Sequence, residues 1–109
     1  MHPLLQITFR GMSPSEPFAL CVRGELHRLE PLRGRISACH VTLERAPEAR
    51  RDPDLYRLRL DARTPEGAIV LDRRSGTISS EDELCQIAQG AFEALAVRLQ
   101  DLPRAARLS

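Results

Sequence analysis

Lysine is absent from this chain of 109 residues, and all 16 of its basic side chains are arginine. An all-arginine set is what GC-rich codon usage produces, although guanidinium also suits bidentate phosphate contacts better than ammonium does. Charge of either sign is not in excess: 15 acids leave a formal net of +1, so whole-protein charge does not call for a polyanion and any basic site has to be local. Long apolar runs are also missing. No segment reaches the length of a membrane span, and the N-terminus has no basic stretch leading into an apolar one, so no membrane partner is expected and a soluble cytoplasmic protein is the expectation. Cysteine is sparse, with Cys21, Cys39 and Cys85 odd in number and far apart. That spacing fits neither a zinc site nor a disulfide framework, and a reducing compartment is the simplest setting.

Catalytic signatures are missing too. There is no glycine-rich phosphate loop, nucleophile elbow or clustered carboxylate pair, so the reading is of a non-enzyme without metal or cofactor. Cys39 and His40 are neighbours in a strand and point to opposite faces, which rules out a joint nucleophilic pair. Cys21 and His27 fall at different angular positions on a helix and would need metal ligands from elsewhere.

What is present is periodicity. Leu5, Ile7 and Phe9 alternate with Gln6, Thr8 and Arg10, the pattern of a strand buried on one face. Gly11 ends it, and Ser13-Pro14-Ser15-Glu16 fits a capping box that starts a helix running from Pro14 to Leu32, with Leu32-Arg33-Gly34 as its stop. Phe18, Val22, Leu26 and Leu29 form its apolar stripe, and Gly24 in mid-helix weakens it. Ile36 to Glu44 reads as a second strand with Cys39, Val41 and Leu43 on one face. The stretch from Arg45 to Asp54 is a loop, Tyr56, Leu58 and Leu60 mark a third strand, and "RTPEG" turns into a short fourth strand over Ala68 to Asp72. After the loop "RRSGTISS", Ser79 or Ser80 caps a last helix whose first turn is acidic. Its apolar stripe, from Leu84 through Ile87, Ala88, Ala91, Phe92 and Leu95 to Leu99, ends before Pro103.

The order is strand, helix, three strands, helix. It predicts an α+β domain over residues 1–102, with two helices packed on one face of a four-stranded sheet, the other face in water, and a short tail over 103–109. Arg10, Arg57 and Arg59, with Thr8 and His40, share the open face. They can serve a phosphate backbone or simply pair across strands with Glu44, Asp61 and Asp72. No aromatic residue falls on that face, which argues against stacking on single-stranded bases.

The segments "LQITFRGMSPSE", "RISACHVTLE", "LYRLRLDARTPEGAIVLDR" and "ED" followed by "AFEALAVRLQD" occur in collinear order over nearly the whole chain. Together they resemble the ribosome hibernation promoting factors, also called ribosome-associated inhibitors or sigma-modulation proteins, in their short form. The resemblance implies a β-α-β-β-β-α domain, topologically like a double-stranded RNA binding domain, that takes part in translation regulation and stress response. It implies binding of ribosomal RNA on the small subunit by basic side chains and blockage of the decoding channel without catalysis. Carried over to this chain, the RNA-binding residues are Arg23 and Arg28 on the first helix, followed by Arg10, Arg57, Arg59 and Arg98. The family's basic loop before strand three is here "PEARRDPD", and its paired basic residues on the last helix are here Ala96 and Val97. From Glu81 onward five acids face three arginines, a net of −2. The alternative reading is therefore a diverged interaction module of the same fold, self-associating or binding a protein partner through Ala96 and Val97.

Overall fold

The structure, a computed structural model, describes residues 4–29, 36–45, 56–74 and 80–101. Strand β1 (Leu4–Arg10) leads into helix α1 (Glu16–Arg28), strands β2 (Ala38–Arg45), β3 (Tyr56–Thr64) and β4 (Gly67–Arg74) follow, and helix α2 (Glu81–Gln100) closes the order. The sheet runs β1-β2-β3-β4. β2, β3 and β4 pair antiparallel as consecutive strands with short links should. β1 pairs with β2 in parallel, Leu5 opposite Cys39 and Phe9 opposite Leu43, because α1 lies between them as a crossover. The α+β, β-α-β-β-β-α expectation is met, and the sheet is mixed.

Alternation decides which face is buried. Cys39, Val41 and Leu43 of β2, Leu58, Leu60 and Ala62 of β3, and Ile69 of β4 point under the helices and are buried. α1 covers them with Phe18, Val22, Leu26 and Leu29, and α2 with Leu84, Ala88, Ala91, Phe92, Leu95 and Leu99. Both predicted helical stripes are the buried ones. Phe18 meets Phe9 of β1 edge to face, with ring centroids 5.9 Å apart, and so ties α1 to the sheet's edge.

α1 is shorter than its pattern suggested. The predicted Ser13 cap is not used; Ser15 caps instead, its Oγ accepting from the Phe18 amide at 3.2 Å. Pro17 is the reason. Starting at Ser13 would place Pro17 at the fourth helical position, whose missing N–H should have donated to the cap carbonyl. Starting at Ser15 hands that bond to Ala19, which donates to Ser15 O at 3.0 Å. The helix closes at Leu29; the predicted stop at Gly34, the loop arginines Arg50 and Arg51, and the tail from Pro103 lie outside the described residues. Of the two proposed caps of α2, Ser80 accepts from the Glu83 amide at 3.4 Å.

Two glycines carry opposite meanings. Gly11 has φ +68°, and a Cβ there would sit 2.9 Å from the Arg45 carbonyl oxygen, so only glycine fits where the end of β1 approaches the end of β2. Gly24 sits in helical backbone, and a methyl group added there would meet nothing within 4 Å. Gly24→Ala is expected to raise stability by ~0.5–1 kcal/mol through a less free unfolded chain. A urea midpoint that fails to rise would show that this side of α1 is not open.

Candidate nucleic-acid interface

The face of the sheet away from the helices carries the side chains of every second strand residue, and the register sorts them into rows. Arg10, Glu44, Arg57 and Arg74 form one row across the four strands, and Thr8, Thr42, Arg59 and Asp72 the next. Behind these come Gln6, His40, Asp61 and Val70, then Leu4, Ala38, Arg63 and Ala68. Five arginines therefore face three acids on this surface. Four of the five, Arg10, Arg57, Arg59 and Arg74, stand in the two rows nearest the end of β1. Arg10, Arg57 and Arg59 border a groove there of about 330 Å³, whose lining also includes Thr42, His40 and the acids Glu44 and Asp61.

Ion pairing separates these arginines. Arg57 is committed: its Nε donates to Asp72 Oδ1 at 3.0 Å and its Nη2 to Oδ2 at 2.6 Å, a bidentate pair. Arg10, Arg59 and Arg74 make no salt bridge or hydrogen bond among the described residues. Even so, Arg10 stands opposite Glu44 and Arg59 opposite Asp72 in the register, and the charges of Arg59 and Arg74 act on Asp72; neighbouring strands set the residues of a row about 5 Å apart. His40 Nε2 and Thr8 Oγ1 lie 2.8 Å apart, a hydrogen bond whose donor follows the imidazole tautomer.

The Arg57–Asp72 pair has a consequence in acid. Hydrogen bonding from Arg57, reinforced by its charge and those of Arg74 and Arg59, holds the Asp72 carboxyl below its ordinary range. A carboxyl with a folded value below its unfolded one contributes stability above about pH 3.9 and loses it as pH falls through the folded value. Asp72→Asn should thus flatten the acid limb of stability while changing the neutral value little, because the pair is solvated. Urea midpoints from pH 7 down to 3 check this; parallel profiles for the two proteins would rule it out.

The arginines of α1 are placed differently. Arg23 lies 3.6 Å from Glu16, and Arg28 lies 3.7 Å from the mostly buried Glu25, so each meets an acid of its own helix. Both remain on the solvent side, but an incoming phosphate has to compete with an existing partner. Arg98 is exposed near the end of α2, on a helix whose described side chains also include Asp82, Glu83 and Glu93, with Asp101 as its C-cap. The two layers differ in sign: basic on the open sheet, acidic along α2. Of the pair Ala96 and Val97, Ala96 is partly buried and packs against the core, while Val97 is 55 % exposed.

Sequence reasoning missed Arg63 and Arg74 because it ended β3 and β4 two or more residues early. The signal was present: continuing the alternation past Asp61 and Asp72 places both arginines on the open face. It also took the cysteines to fit no disulfide framework, which the structure corrects for Cys21 and Cys85, because their pairing depends on α1 and α2 lying side by side. In the structure they are joined as a disulfide between α1 and α2, with Cα atoms 5.9 Å apart. Cys39 is buried in the core, its thiol pKa pushed up to about 12 by burial and by the nearby Asp61 charge. Asp61 Oδ1 is buried with no hydrogen-bond partner among the described residues.

Among the described residues no three His, Cys, Asp or Glu side chains come together as a metal site, and no helix is long and apolar enough to cross a membrane. What the open face offers is a cluster of exposed guanidiniums, groups able to donate to an anion.

Neither a protein-family model nor a curated protein matches the chain. Solved structures do. A ribosomal subunit interface protein from Coxiella burnetii superposes with a TM-score of 0.69 at 20 % identity, over 92 % of this chain and 94 % of its own. The N-terminal domain of Protein Y from Thermus thermophilus superposes with a TM-score of 0.70 at 14 % identity, over 93 % of this chain and 99 % of its own. The chain has the fold of these proteins, which is the fold that its resemblance to the hibernation factors implies.

Proposed function

We propose that this chain is a ribosome-associated factor that binds the small ribosomal subunit and occupies the decoding channel, silencing translation or protecting idle ribosomes in the cytoplasm. The observation that carries the reading is end-to-end likeness in fold to a ribosomal subunit interface protein. The cluster of open-face arginines supplies the chemistry for it, since contacts to phosphate hold such a protein in place without reading sequence. Inhibition then needs no bond making. A folded body, fixed by several phosphate contacts, excludes messenger and transfer RNA from the space it fills.

Of the arginines inferred from the sequence, Arg10 and Arg59 are the strongest phosphate ligands, joined by Arg74. Arg57 helps by neutralising Asp72, and Arg23, Arg28 and Arg98 play secondary parts. Co-sedimentation of the full chain with purified small subunits across a salt series tests the reading. Saturable binding whose logarithm falls linearly with the logarithm of salt is expected. Absence of binding at low salt would sink it and favour the interaction-module reading, for which the acidic surface of α2 would seek a basic protein partner.

A further inference from the structure

We propose that Cys21 and Cys85 are a redox modification site, a dithiol on the seam between α1 and α2 that a small-molecule disulfide converts to a covalent staple and a thiol reductant reopens. The proposal concerns the protein's own oxidation state and stands whether or not the chain binds ribosomes.

Three observations carry it. First, the two residues are within disulfide reach, and both are half-buried rather than sealed, so a small disulfide or thiol can approach them. Second, α1 is held by Phe18, Val22, Leu26 and Leu29 in a continuous core that does not include either cysteine, so the fold has the means to persist with the bond open. The Cys21 sulfur also lies 3.7 Å from the Cys85 carbonyl oxygen, which gives the thiol an acceptor in the reduced form. Third, the remaining cysteine does not compete. Cys39 is 1 % exposed and faces the core, and its raised thiol pKa leaves almost no thiolate at neutral pH. Only one disulfide within the chain can therefore form.

The exchange balances with glutathione disulfide as oxidant. One cysteine thiolate attacks a glutathione sulfur and expels one glutathione thiolate, forming a mixed disulfide. The second cysteine thiolate attacks the protein sulfur of that mixed disulfide and expels the other glutathione. Two protein thiols lose two protons and two electrons, and one glutathione disulfide becomes two glutathione molecules.

The test uses the full chain equilibrated in glutathione buffers of stepped oxidised-to-reduced ratio, quenched by alkylation and mapped by mass spectrometry. A peptide linking Cys21 to Cys85 is expected to appear at oxidising ratios and vanish at reducing ones, with Cys39 alkylated only after denaturation. The bond closes a loop with a sequence separation of 64 residues. Its closure should raise the folding equilibrium constant by about a thousandfold, equivalent to ~4 kcal/mol, and slow amide exchange in α1. Cys21→Ser/Cys85→Ser should match the reduced protein and ignore the buffer ratio. The proposal is overturned if no link forms at any ratio, if only mixed disulfides with glutathione accumulate, or if circular dichroism shows the reduced wild-type chain unfolded, which would make the bond obligatory.

Discussion

Arg10→Glu/Arg59→Glu/Arg74→Glu is expected to abolish measurable binding to small ribosomal subunits at salt concentrations where the parent chain saturates. None of the three guanidiniums makes a salt bridge or hydrogen bond among the described residues, so each can turn to donate a charge-assisted hydrogen bond to phosphate, in competition with the neighbouring Glu44 and Asp72 charges. At about 1 kcal/mol per contact, losing three lowers affinity on the order of a hundredfold, and reversing the charges adds repulsion to the loss. The slope of log affinity against log salt should fall by roughly 0.7–0.9 for each contact removed, or by two to three units in all. Arg23→Glu/Arg28→Glu makes the informative comparison. Those two side chains already meet Glu16 and Glu25, so their reversal should cost less and change the slope less. A larger loss from the helix variant than from the sheet variant would move the interface to α1.

Phe18→Ala should bring the protein close to unfolding. Phe18 is fully buried, faces Phe9 across the β1–α1 contact, and anchors the first turn of a helix of only 13 residues. Truncating a buried phenylalanine removes its transfer free energy and leaves a cavity, together ~3–5 kcal/mol, against a total stability of roughly 5–15 kcal/mol for an ordinary domain. Urea denaturation of the oxidised protein should show a much lower midpoint with the slope preserved. Leu20→Ala, two residues on but 58 % exposed, should stay within ~0.5 kcal/mol of the parent. Equal effects from the two variants would mean that α1 sits on the sheet by a different face.

Most of the architecture was legible because it depends on local periodicity. Period-two alternation picked out Leu5, Ile7 and Phe9 against the core, then Cys39, Val41 and Leu43 and Leu58 and Leu60 within it, and the helical stripes from Phe18 to Leu29 and Leu84 to Leu99 picked out most of the rest. The start of α1 was readable in principle as well, since Pro17 lacks the amide that a Ser13 cap requires. Pairings between distant segments were not legible. Nothing in the spacing of Cys21 and Cys85 says that α1 and α2 lie side by side, and nothing in the alternation of β1 says that it joins β2 in parallel. The same limit applies to the interface. The sequence placed Arg10, Arg57 and Arg59 on one face, but that Arg57 is bound by Asp72 while Arg59 is not depends on cross-strand register and rotamer, which periodicity does not contain.

The opposite signs of the two layers bear on how the molecule would arrive at a target. Before any contact forms, a body with guanidiniums on one broad side and carboxylates along α2 has an electrostatic handedness, and the field of a polyanion exerts a torque on it. Encounters with the sheet leading are accelerated, while encounters with α2 leading are repelled before they become wrong complexes. A chain with a net charge of only +1 can in this way be oriented by a field that hardly attracts it as a whole.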